Sequence, residues 1–162
     1  MRAISPALTV RPVRFDEVSE LLRLIRRAIE RGCRDDYDPA QRASIFTGYA
    51  RTLFVEVLGP FDTLAAEQRG RLVGIAQLDA TSDRLRALFV DGDLQGHGLG
   101  QALLRAVERR ARQRGCARLH GAMALNAVSF YSRAGFRPVA GPENLGSAGI
   151  PVPVVRMVKD LR

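Results

Sequence analysis

The stretch that most constrains the fold is DLQGHGLGQALLRAVERRAR, residues 93–112, in which three glycines at alternate positions run directly into an amphipathic helix. Leu99, Ala102, Leu103, Ala106 and Val107 recur at helical spacing, so one face of this helix has to be buried against another element. RLRALFV (84–90) lies before it and ARLHGAMAL (117–125) after it, both with strand character, and the helix should end near Gly115. A strand, a helix and a second strand in succession imply a right-handed crossover that leaves the two strands parallel.

The remaining segments read as antiparallel elements around that crossover. TLAAE (63–67), a QRGR turn and LVGIAQLD (72–79) form a hairpin, and TSD (81–83) turns the chain into 84–90. ALTVRPV (7–13) alternates like a first strand. DEVSELLRLIRRAIERG follows as a helix, with Val18, Leu21, Leu22, Ile25 and Ile29 on one face and Gly32 placed as its stop. DPAQ (38–41) starts a second helix, with Asp38 as cap, Pro39 at the first helical position and Gln41 able to reach back. A short helix follows Asn126 and stops at Gly135. FRPV (136–139) and VPVVRMVKDL (152–161) are two last strands around a Gly/Pro-rich loop, 140–151. The expected class is α+β: a mixed, mostly antiparallel sheet with one parallel step, flanked by helices.

With 162 residues and no linker, repeat or low-complexity tract, the chain is expected to form one domain over residues 1–162. No apolar run has membrane-spanning length, and MRAISPALTV does not read as a signal peptide, so the expectation is a cytoplasmic protein with no membrane partner. Two cysteines, Cys33 and Cys116, and two histidines argue against a disulfide framework and a metal site. The formal charge of +8 invites a nucleic-acid reading. The arginines, however, are dispersed along the chain, no stacking motif accompanies them, and Lys159 is the only lysine. Nucleic acid is therefore disfavoured as a partner, while attraction for a smaller polyanion stays open.

Free amides at a helix N-terminus form an anion site, and glycines let a phosphate approach the backbone. One glycine would suffice for a tight turn. Three, at about 1 kcal/mol each relative to alanine within a helix, point to a compensating role. The dinucleotide fingerprint fails, because Gln101 stands where its last glycine belongs, and a P-loop fails for want of a Gly-Lys-Ser/Thr.

Gln95-Gly96-His97-Gly98-Leu99-Gly100, after a strand ending Leu88-Phe89-Val90, resembles the acyl-CoA signature of the GNAT superfamily of N-acetyltransferases, Gln/Arg-x-x-Gly-x-Gly/Ala. NAVSFYSRAGF (126–136) is similar to the family's Asn-x-x-x-Phe-Tyr-x-x-x-Gly-Phe segment, and the order of elements matches over nearly the whole chain. The resemblance implies an enzyme that transfers an acetyl group from acetyl-CoA to a primary amine of a small molecule or peptide. The runner-up is a non-catalytic GNAT fold that keeps CoA as a sensor or scaffold. A homodimer is compatible with either.

By resemblance, strands 84–90 and 117–125 splay apart around pantetheine. The backbone of Leu88 and Val90 would pair with its amides, the N–H of Phe89 or Val90 would polarise the thioester carbonyl, and residues 96–101, Gln101 included, would hold the pyrophosphate. Tyr131 would protonate the departing thiolate. Asn126 has two roles open to it, capping the short helix and touching the cofactor, and His97 could donate to a phosphate. The amine's general base stays open between Glu67, Asp79, His120 and a water chain. The loop 32–39 and the loop 140–151 would line the acceptor side, where Asp35, Asp36 and Glu143 would attract a cationic amine.

Overall fold

The computed structural model describes residues 7–57, 59, 61–141, 143–146 and 149–162, with backbone only at 52 and 54–57. The N-terminal MRAISP and residues 142, 147 and 148 of the Gly/Pro-rich loop lie outside the described residues. Chain order is β1 (Thr9–Pro12), α1 (Val18–Gly32), α2 (Pro39–Val57), β2 (Asp62–Gln68), β3 (Arg71–Asp79), β4 (Arg84–Val90), α3 (Leu99–Gln113), β5 (Arg118–Ala124), α4 (Val128–Arg133), β6 (Arg137–Pro138), β7 (Glu143–Asn144) and β8 (Pro153–Asp160). The sheet runs β1-β2-β3-β4-β5-β8-β6, with β7 also on β8, and every pairing is antiparallel except β4 with β5. No described helix is long and apolar enough to cross a membrane.

Helices cover both faces of the sheet, so β2 and β3 are buried on both sides rather than alternating. One core packs α1 through Val18, Leu21, Leu24, Ile25 and Ile29 against Ala65, Leu72 and Ile75. The other packs α3 through Leu99, Leu103, Leu104 and Val107 against Leu64, Ala76, Leu78 and Leu85. Leu22, expected on the buried stripe of α1, is only half-buried; Leu24 and Ala28 occupy it instead. The α2 start is as expected: Gln41 N donates to Asp38 Oδ1 at 2.8 Å and Asp38 N to Gln41 Oε1 at 2.9 Å.

The first helix ends at Gly32, as expected, without a left-handed residue there. The helix ends into Cys33 at an ordinary φ of −100°. A Cβ at Gly32 would sit 3.3 Å from Gln95 Nε2 and 3.5 Å from Asn126 Nδ2, so the glycine serves a close approach.

Two irregularities in β4 open the sheet. First, the β3 register shifts between Gln77↔Ala87 and Leu78↔Leu85, leaving Arg86 as the extra residue of a bulge. Second, β4 and β5 pair only at Arg84↔His120, where His120 N donates to Asp83 O at 2.9 Å. Gly121 is the branch point: a Cβ there would lie 2.8 Å from Leu85 O. Beyond it the parallel strands separate.

Candidate active site

The separation of β4 and β5 leaves a cavity of about 640 Å³. Its β4 wall includes Leu88, Phe89 and Val90, and its β5 wall Ala122, Met123 and Ala124. Asp91 N donates to Val73 O at 2.9 Å, and the register places Phe89 opposite Ile75. Because antiparallel bonding alternates, Phe89 turns its N–H and C=O toward β3 as Asp91 does. Leu88 and Val90 turn theirs the other way, toward the space from which β5 has withdrawn. Of the two amides considered from sequence for polarising a carbonyl, the ladder engages that of Phe89 and directs that of Val90 into the gap.

One end of the cavity is the glycine turn, through Gln95, Gly96, Gly98, Gly100 and Gln101. Gly96 and Gly98 have φ of 85° and 77°, and a Cβ on either would meet no protein atom within 4 Å. The turn therefore needs two glycines for its backbone alone, more than the single one expected from sequence. Gly100 is different: a Cβ there would lie 3.4 Å from the Phe130 ring. Gly98 is the N-cap of α3, and the first helical bond runs from Ala102 N to Gly98 O at 3.1 Å, so the amides of Leu99, Gly100 and Gln101 have no intrahelical partner. The Leu99 side chain is buried in the core, and His97 is exposed outside the cavity lining.

Tyr131 lines the cavity from α4. Its ring stacks edge-on against Phe130 at 5.0 Å and Phe136 at 5.2 Å, which fixes its direction. Burial raises its phenol above the usual range, with a smaller push from Tyr49, so it stays protonated at neutral pH. Asn126 does not cap the short helix, contrary to one of its two expected roles. The α4 N-cap is Ala127, and the Asn126 carboxamide oxygen instead accepts from Cys33 Sγ at 3.3 Å. Asn126 nonetheless lines the cavity.

Tyr49 lines the cavity although the sequence reading did not single it out. Tyr49 of α2 donates its hydroxyl to Arg86 O, the bulge carbonyl, at 3.1 Å and stacks on Phe89 at 5.0 Å. Tyr49 sits in no recognisable local pattern; only packing brings it here. From the 32–39 segment expected on the acceptor side, Cys33 enters the cavity, its thiol pushed up to about 11 by burial and therefore neutral.

The base candidates do not reach the cavity. Glu67 accepts from Arg11 at 2.8 Å, Asp79 holds Thr81 and Ser82 in the β3–β4 turn, and His120 Nε2 lies 2.7 Å from Ser82 O at the closed end of the β4–β5 pair. Asp35 and Asp36 are exposed and outside the lining, and Glu143 is held by Arg156 at 3.0 and 3.2 Å. Among the described residues no cluster of three or more His, Cys, Asp or Glu could hold a metal.

The family model described as "Acetyltransferase (GNAT) domain" matches residues 35–161. The chain belongs to the GNAT acetyltransferase family. Solved GNAT structures share the fold. A GCN5-related N-acetyltransferase from Rhodopseudomonas palustris, titled "Aminotransferase, Class-II", is 26% identical with a TM-score of 0.87, covering 99% of this chain and 98% of that one. The PaiA N-acetyltransferase of Thermoplasma acidophilum, solved with coenzyme A, is 17% identical with a TM-score of 0.77 over 95% of this chain and 99% of that one. The ribosomal-protein-S18-alanine N-acetyltransferase of Escherichia coli gives 18%, 0.71, and coverage of 96% and 94%. No curated protein sequence gives a significant match. The GNAT fold accounts for the parallel β4–β5 pair within a mostly antiparallel sheet, and membership makes acyl transfer the activity class.

Proposed function

We propose that this GNAT protein transfers an acetyl group from acetyl-CoA to a primary amine of a small molecule or peptide, with Tyr131 as general acid. One observation carries the reading: the buried Tyr131 faces the gap between β4 and β5, where the backbone groups of Leu88 and Val90 have no strand partner. The residues present suit the ligand. The gap offers unsatisfied backbone groups for amides, and the open space beside Gly96 and Gly98 adjoins the partnerless amides of α3.

When bound, acetyl-CoA supplies an activated acyl group as a thioester. In this reading the amides of residues 96–101 and the positive end of α3 bind the pyrophosphate, and Leu88 and Val90 align the chain behind it. The Val90 N–H, turned into the gap, polarises the carbonyl. Tyr131, kept protonated by burial, hands its proton to the sulfur as the C–S bond breaks. With no carboxylate or imidazole among the described lining residues, water carries away the amine's proton.

The test is free-thiol release from acetyl-CoA across a panel of amines, with Tyr131→Phe beside the natural chain. Loss of the acid should lower kcat by about 10²-fold or more at a nearly constant acetyl-CoA KM. Tight CoA binding with no thioester consumption for any amine would instead establish a non-catalytic CoA-binding module.

A further inference from the structure

Asp91 follows β4 directly and is fully buried, yet it does not line the cavity. Its carboxylate accepts from Arg27 of α1 at 2.8 Å (Nη2) and 3.3 Å (Nε), from Arg71 Nη2 at 3.4 Å and from Asp93 N at 3.2 Å. Its own carbonyl takes Leu94 N at 2.9 Å. The contacts continue along the turn. Gly92 passes so close to α1 that a Cβ would stand 2.9 Å from Arg27 O, and Asp93 pairs with Arg31 at 2.9 Å. Gln95 then packs at the Gly32 end of the same helix.

Asp91 is buried and Arg27 half-exposed; such a pair contributes little net stability, because desolvation offsets much of the attraction, but its bonds tie together the two segments that carry it. Here those segments are α1 and the start of the glycine turn. We infer that Asp91 is a positioning residue, fixing the turn that carries Gln95 to Gln101 against α1 through Arg27 so that its amides converge on one anion. The inference rests on the proposal that this turn receives CoA. Asp91 touches neither the reacting atoms nor the ligand in this arrangement; it acts through Asp93, Leu94 and Arg27.

The experiment is calorimetric titration of the folded protein with CoA, which reads affinity and the fraction of competent sites separately. Asp91→Asn keeps the shape and removes the charge. Arg27→Gln removes the same bonds from the half-exposed partner, and so remains informative if the buried substitution fails to fold. In each variant CoA Kd should rise, by about tenfold for Asp91→Asn, as expected for losing hydrogen bonds to a charged group, with stoichiometry unchanged. In turnover the change should fall on acetyl-CoA KM and leave kcat close to that of the natural chain. An unchanged Kd with a reduced fraction of competent sites would mean that the pair only maintains the fold, and would overturn the inference. An unchanged Kd and stoichiometry in both variants would overturn it as well. If the natural chain itself bound no CoA, the proposed function would fall first and this inference with it.

Discussion

The cavity has two kinds of wall. One is a continuous run of chain from Leu88 to Gln101, in which each feature follows from its neighbours: two glycines at positive φ, then the first turn of α3. The other is assembled from Cys33, Tyr49 and Ala122–Ala124, segments far apart in sequence that meet only through packing. Tyr37 ties that second wall together, accepting Leu125 N at 2.9 Å and donating to Pro153 O at 2.6 Å. Gln41 adds a bond from Nε2 to Pro151 O at 3.1 Å. The contrast teaches where function should be fragile. Damage to the continuous wall should affect CoA, and damage to the Cys33 and Tyr49 side of the assembled wall should affect the amine.

Gly98→Glu should produce the largest effect. It places a carboxylate where the proposal puts a diphosphate, and it forces a side chain into the left-handed region. CoA affinity should fall by about 10²-fold or more, while the left-handed strain of about 1–2 kcal/mol should lower the melting temperature. Gly98→Ala carries the strain alone, and calorimetry on both separates the two contributions. If Gly98→Glu bound CoA as well as Gly98→Ala does, the continuous wall would not be the anion site.

Tyr37→Phe tests the other wall. It strands a buried amide and a carbonyl, which costs about 1–3 kcal/mol and should lower the melting temperature. The loosened wall should raise acceptor KM by roughly tenfold, a full-strength hydrogen bond's worth, while CoA Kd stays within about twofold. A rise in CoA Kd as large as that in acceptor KM would show that the two walls do not act separately.

The pH profile gives a more modest contrast. Burial raises both the Tyr131 phenol and the Cys33 thiol, so each stays protonated below its raised value and loses its proton only above it. The kcat profile should show no falling limb below about pH 10, the ordinary phenol value. A limb near neutrality that disappeared in Tyr131→Phe would contradict the buried, protonated phenol.

Asp35→Asn combined with Asp36→Asn should give the smallest effect. Both side chains are exposed and neither lines the cavity. For a cationic amine, acceptor KM should rise by about twofold or less at 0.15 M salt and by more at low salt, where screening weakens. An effect absent even at low salt would remove the acidic loop from acceptor recognition.

The sequence alone determined the elements whose causes lie within a few residues. The Asp38–Gln41 capping box, the glycine turn into α3, the buried stripe of that helix and the Phe130-Tyr131 pair all follow from local spacing and local backbone requirements. Tertiary structure alone decided the rest. It turned Val90 rather than Phe89 toward the gap, sent Glu67, Asp79 and His120 elsewhere, gave Asn126 to Cys33 instead of a helix cap, and brought Tyr49 onto the Arg86 bulge. Each of these depends on strand register or on contacts between distant segments. A shift of one residue, as at Arg86, reverses which face a side chain and its backbone groups present, and no local pattern in the sequence encodes that choice.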